Sequence, residues 1–218
     1  MLGVCSQVRN GDSATAAHYS SGMTIPLRTP PSCWADLSAA EKRARLLRVA
    51  GEIFARDGLD APMPIIAAAA GAGVGSVYRQ FPSKRDLLAA LVVERLNEAE
   101  EGADAALQSA AGPWSALTGL LWALAERQAD DDVLGEAMAT VSEHPQVQAA
   151  LQRTTQALEQ LLAAARAEGR LRSDATTLDL RLLFGATRAA TQLEAGAWRR
   201  MLELGIDALQ AGEAGDRA

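Results

Sequence analysis

Cysteine, histidine and lysine are nearly missing from this chain, which holds two of each in 218 residues. Cys5 and Cys33 stand far apart, as do His18 and His144, so no pair has the spacing of a metal site or a redox motif. No disulfide framework, metal centre or cofactor is expected. Lys42 and Lys84 are the only lysines among 21 basic residues, and this arginine bias, with the richness in alanine, hints at GC-rich coding DNA. No apolar run approaches the roughly 18 residues of a membrane span, and Met1 to Gln7 lack the basic region and apolar core of a signal peptide. The expected location is the cytoplasm, with no membrane partner. Alternating runs of β-branched residues are missing too, so the fold class expected is all-α, with no internal repeat.

What the chain does have is 49% hydrophobic residues, ample for a core, and a charge that divides by segment. The net charge of −6 argues against a protein coated all over with nucleic-acid contacts. Yet Ala39 to Arg95 carries nine Lys or Arg against six Asp or Glu, a net of +3, while Leu96 to Ala218 carries ten against nineteen, a net of −9. A mildly basic head on an acidic body directs the head toward a polyanion.

Residues 1–35 scatter Ser, Gly, Thr and Pro without apolar periodicity and read as a disordered arm. The arm is either a passive tail, even one upstream of a true start at Met23, or an extension that reaches DNA through Arg9 and Arg28. Order is expected to begin at Ser38, because Ser38-x-x-Glu41 is a capping box. Leu46, Val49, Ala50, Ile53 and Phe54 then form one apolar helical stripe, and Gly58 supplies a left-handed stop. Further helices are expected at about Ser83–Gly102, Trp114–Ala129, Val133–Val141, Pro145–Glu168, Ala175–Ala195 and Ala197–Gln210. The run Asp130-Asp131-Asp132 reads as a helix-start loop, since negative charge suits a helix N-terminus.

Pro62 to Lys84 is the informative stretch. It parses as a short helix Met63–Ala70, a tight turn Gly71-Ala72-Gly73, a second short helix Val74–Gln80 and a stop, which is helix-turn-helix grammar. Val77 and Phe81, four apart, form the buried pair. Burying them turns Val74, Gly75, Ser76, Tyr78, Arg79 and Gln80 outward. Arg79 can pair with guanine, Gln80 with adenine, Ser76 with base or phosphate, and Val74 with a thymine methyl. Gly73 opens this helix, and Gly75 lets the backbone approach closely. The hydroxyl of Tyr78 and the charge of Lys84 suit phosphates. A nucleotide-binding reading of Gly71-x-Gly73-x-Gly75 fails, because a helix and not a strand precedes it.

Ala70 to Leu88, AGAGVGSVYRQFPSKRDLL, resembles the signature of the TetR family of bacterial regulators, and the resemblance covers about Ala39 to Val93. It implies that Tyr78 and Lys84 anchor phosphates and that the exposed residues of the second short helix read bases. One departure is that Ala61-Pro62-Met63-Pro64 lacks the hydroxyl with which the family often opens the first short helix; a phosphate there would need backbone amides.

The resulting organisation is an arm at 1–35, a three-helix helix-turn-helix DNA-binding domain at 36–83, a helical ligand-binding and dimerisation domain at 84–212 and a tail at 213–218. In the body Trp114, Trp122, Met138 and Phe184 either line a pocket or are ordinary core, with His144 and Arg188 as polar groups to orient a ligand. Leu178, Leu182, Trp198, Met201, Leu202 and Leu209 offer apolar surface for a homodimer, and the resemblance implies the same two helices; closing the body's own core is their other reading. Two recognition helices about 34–36 Å apart are needed to read a palindrome. The expected function is therefore a ligand-responsive, sequence-specific DNA-binding regulator, a repressor released from a double-stranded operator by a small-molecule inducer. An activator or architectural protein without a ligand shares the same head. An all-helical enzyme is disfavoured, because no nucleophile, metal or paired-carboxylate constellation is recognisable.

Overall fold

The computed structural model describes residues 33–130 and 133–212. Arg9, Arg28, most of the expected arm, Asp131-Asp132 and the 213–218 tail lie outside them. Among the described residues the structure is helical without strands: α1 (Ala39–Asp57), α2 (Met63–Ala70), α3 (Val74–Gln80), α4 (Lys84–Leu107), α5 (Pro113–Asp130), α6 (Val133–Val141), α7 (Pro145–Ala167), α8 (Thr177–Leu193) and α9 (Ala197–Leu209).

Local chemistry sets most helix ends. The Ser38 hydroxyl accepts from the Glu41 amide and the Glu41 carboxylate accepts from the Ser38 amide, so two orphan donors of α1 are satisfied at once. Gly58, at φ 81°, ends α1 where a side chain would be strained. Order starts slightly earlier than the sequence suggests, with a 3-10 turn at Trp34–Asp36 that sets Trp34 against the core. The larger departure is α4, which runs past Gly102 to Leu107. Gly102 is no stop: a Cβ there would come within 2.6 Å of Leu120 Cδ1, so the glycine serves close packing of α4 on α5. The α8 start falls two residues late because Thr176 and Asp179 form a second capping box, in which the Asp179 carboxylate accepts from the Thr176 amide.

Two apolar cores follow. The first joins α1, α2 and α3 to the opening turns of α4, with Ala137, Val141 and Val147 from α6 and α7. The second joins the last turns of α4 to α5, α7, α8 and α9 through Leu117, Leu121, Leu161, Leu162 and Leu202. Helix α4 thus belongs to both cores, and it packs along α7 between them. Thr154 ties that contact, its buried hydroxyl donating to the Leu96 carbonyl at 2.9 Å. At the far end, Arg172 N–H donates to the Leu209 carbonyl and Ala211 N–H to that of Arg170, which fastens the end of α9 to the α7–α8 loop.

Candidate nucleic-acid interface and ligand cavity

The helix-turn-helix is built by two glycines and one buried pair. Gly71 takes the left-handed conformation at φ 71°, and the Ala72 amide reaches back to the Ala67 carbonyl at 2.9 Å, turning the chain sharply out of α2. Gly73 caps α3, and Val77 and Phe81 are buried at 0% and 2% exposure. Burial of two such side chains stabilises the head by about 1.5–3 kcal/mol each and fixes the rotation of α3. The opposite face is therefore bare. Val74 and Tyr78 are exposed, and nothing lies within 4 Å of a Cβ placed on Gly73 or Gly75.

On that face the Arg79 guanidinium donates to Ser76 Oγ at 2.8 Å, so these two candidate base readers hold one another. Gln80 is half-buried at the end of α3, and Lys84 begins α4 with its ammonium 5.9 Å from the centre of the Phe54 ring. Arg43, which periodicity only placed off the apolar stripe of α1, lies with its guanidinium 4.7 Å over the Phe81 ring. It is an exposed cation beside the end of α3 that a linear reading could not locate, because Phe81 is 38 positions away. As expected from Pro62, α2 has no side-chain cap.

Next to α4 the Ser83 hydroxyl accepts from the Asp86 amide, and the Asp86 carboxylate faces His144 Nε2 at 3.3 Å. The hydrogen bond from Ser83, with that from His144, holds the Asp86 carboxyl below its ordinary range. His144 therefore joins the start of α4 to the start of α7.

Behind the head, α4, α5, α7 and α8 enclose an apolar cavity of about 340 Å³. Leu124, Leu158, Leu180 and Phe184 line it, with Met138 at one side. Of the residues singled out as a pocket, only Met138 and Phe184 reach it. Trp114 is buried in the second core, and Trp122 is spent on Trp198, ring centres 5.9 Å apart at 59°. His144 sits with Asp86, and Arg188 lies against α6, where a Cβ on Gly135 would meet its guanidinium.

The matches to known proteins agree with this geometry. A family model described as bacterial regulatory proteins, tetR family, matches residues 46–91, and one described as the C-terminal domain of an SbtR-like transcriptional regulator matches 112–211. The crystal structure of a TetR transcription regulatory protein from Mycobacterium vanbaalenii is 32% identical, with 78% of this chain and 96% of that one covered and a TM-score of 0.57. The chain belongs to the TetR family of transcriptional regulators. A TetR regulator from Streptomyces coelicolor is 25% identical over 78% of this chain and 98% of its own, with a TM-score of 0.60. No curated protein matches. As a TetR-family regulator the chain is a DNA-binding transcription factor and not an enzyme.

In this TetR-family chain the apolar residues of α8 and α9 divide. Trp198, Leu202 and Leu209 are buried in the chain's own second core. Leu178 and Leu182 are more than half exposed, and Met201 is half-buried. Residues not singled out from sequence extend the same stripe: Gly185, Ala189 and Leu193 on α8, and Leu204 on α9. The 3.6-residue periodicity of exposed positions 178, 182, 185, 189 and 193 was the available signal. The inner face of α8, with Leu180, Leu183 and Phe184, is equally apolar and masks it.

Proposed function

We propose that this regulator is a repressor that grips a palindromic operator as a homodimer and lets go when a small molecule enters the body cavity. In this reading residues 36–83 are the DNA-binding head and 84–212 the ligand-binding and dimerising body. The observation that carries it is the outer face of α3, where Val74, Tyr78 and Arg79 are exposed and Ser76 and Gln80 partly so, while Val77 and Phe81 are buried. Gly73 and Gly75 leave that face low enough for base edges to come close. Tyr78, Lys84 and Arg43 supply phosphate contacts around it, and Arg79 exchanges its Ser76 partner for guanine when DNA is present.

Two copies join through the α8–α9 stripe of Leu178, Leu182, Leu193 and Leu204, which sets the separation of the two heads. Ligand release of DNA needs a conformation that the ligand prefers and the operator does not. Helix α4, about 36 Å long at 1.5 Å per residue, is the lever, since it lines the cavity at one point and packs under the head at another.

The test is fluorescence anisotropy on the chain's own upstream duplex and on a scrambled duplex, over a salt series, for wild type and Lys84→Ala. The expected result is preference for the native duplex, with the log–log salt slope reduced by about one unit in the variant. Equal, weak binding to both duplexes refutes the reading for that operator, and an unchanged slope removes Lys84 from the phosphate contacts.

A further inference from the structure

The cavity between α4, α5, α7 and α8 has a charge that its surroundings do not share. The segment from Leu96 to the end of the chain has a net charge of −9, yet the charged residues lining the cavity are three arginines, Arg95, Arg127 and Arg181, against a single glutamate, Glu98. The glutamate is engaged on both oxygens: Oε1 accepts from Arg127 Nη2 at 2.9 Å and Oε2 from Arg95 Nη1 at 3.1 Å. The wall of the cavity therefore already holds one carboxylate between two guanidinium groups. The third, Arg181, is exposed and has no ion pair among the described residues.

The neutral polar groups of the cavity are differently placed. Thr154 gives its hydroxyl proton to the Leu96 carbonyl, and Gln128 gives its amide protons to the Phe184 carbonyl and the Thr187 hydroxyl at 3.0 and 3.2 Å. Those donors hold helices together and are not available to a guest. Thr155 and Thr177 add two hydroxyls, and the rest of the lining is aliphatic or aromatic. A guest is thus offered apolar contact over most of the lining and guanidinium as its charged partner.

We infer that the cavity takes a small amphipathic carboxylic acid, whose chain or ring lies among Leu124, Leu158, Leu180 and Phe184 and whose carboxylate displaces Glu98 from Arg127 while Arg181 closes on it. The inference rests on the proposed reading of this cavity as the ligand site and adds the chemistry of the ligand. Exchange of one carboxylate for another costs the arginines nothing in desolvation, because both remain paired, and a bidentate guanidinium contact sets the orientation of the acid. Glu98, once displaced, no longer bridges α4 to α5. The same Arg95, Glu98 and Arg127 also line a groove of about 520 Å³ that faces α1, so the exchange alters a surface shared with the head.

The test is isothermal titration of the full chain with octanoate, decanoate and 4-phenylbutyrate, each beside its primary amide, for wild type, Glu98→Gln and Arg181→Gln. Acid is expected to bind wild type at least about tenfold more tightly than amide, the scale of one charge-assisted hydrogen bond. Glu98→Gln should tighten acid binding and leave amide binding unchanged, because the competing carboxylate is gone. Arg181→Gln, a change at an exposed side chain, should bring the acid toward the amide. Equal binding of acid and amide overturns the carboxylate assignment while the cavity stands as a ligand site. Acid binding indifferent to both substitutions, or no binding by any acid, overturns the assignment as well; in the latter case a thermal-shift response to neutral apolar compounds decides separately whether the cavity binds ligands.

Discussion

The packing of α8 against α9 makes a sharp demand on Gly205. A methyl group at that position would stand 2.1 Å from Leu183 Cδ1, 3.0 Å from Cδ2 and 3.1 Å from Cγ, where carbon contacts settle near 3.5–4.0 Å. Leu183 is 6% exposed, so any turn of its isobutyl group takes place inside the core. Forcing a methylene's worth of volume into such a seam costs about 1–3 kcal/mol. Against this, alanine is favoured over glycine inside a helix by about 1 kcal/mol. Gly119 in α5 provides the comparison, since it is exposed and nothing lies within 4 Å of a Cβ there. Gly119→Ala should therefore gain up to about 1 kcal/mol, whereas Gly205→Ala should lose up to about 2 kcal/mol. At roughly 2–4 °C per kcal/mol for a chain of this size, the two melting temperatures should differ by about 2–12 °C, Gly205→Ala the lower. Both are measured by circular dichroism at one protein concentration, because self-association adds to stability by mass action. If Gly205→Ala melts with or above Gly119→Ala, the α8–α9 seam is not packed as described.

Leu182→Glu places a charge in the exposed α8 stripe and touches nothing in the protomer core. Sedimentation should find monomer where wild type is dimer, with helicity kept; a dimer that persists moves the interface elsewhere. Asp86 has a depressed carboxyl and contributes stability that is fully present above the ordinary aspartate value of about 3.9 and is lost as pH falls through the lower folded value. Wild type should therefore melt above Asp86→Asn at pH 7, and the gap should narrow below about pH 4. A gap that holds constant from pH 7 down to pH 3 rules out the ionised carboxylate as its source.

The head was legible in the sequence because its determinants are local. Ser38 and Glu41 cap one another within one turn, Gly71 turns the chain at its own position, and Val77 and Phe81 are neighbours on one helix face. The body obeyed the same periodicity in its helices but hid its contacts. Gly102 looked like an end because glycine usually is one, whereas its meaning came from Leu120 in the next helix. Trp122 looked like a pocket aromatic until Trp198 occupied it. Arg127 and Glu98 are 29 residues apart, and no spacing rule connects them. Trp198 and Leu202 share α9 with Leu204, and only the packing of α8 decides which of them turns inward.

Helix α4 enters a core near each end, and between them it is held by α7, with the Thr154 hydroxyl on the Leu96 carbonyl. From Leu87 to Val92 it serves the first core, and from Ala103 it serves the second, but no residue from Val93 to Gly102 is fully buried. For protein engineering, a splice in this stretch keeps Leu87 to Val92 with the α1 side chains they pack on. A head taken from one regulator and a body from another, joined there, must keep the helical register and also supply matching partners for Ala137, Val141 and Val147 of α6 and α7, which complete the first core. Splices placed at Ser83, where the sequence punctuates, would instead separate Leu87 and Leu88 from the α1 side chains they cover.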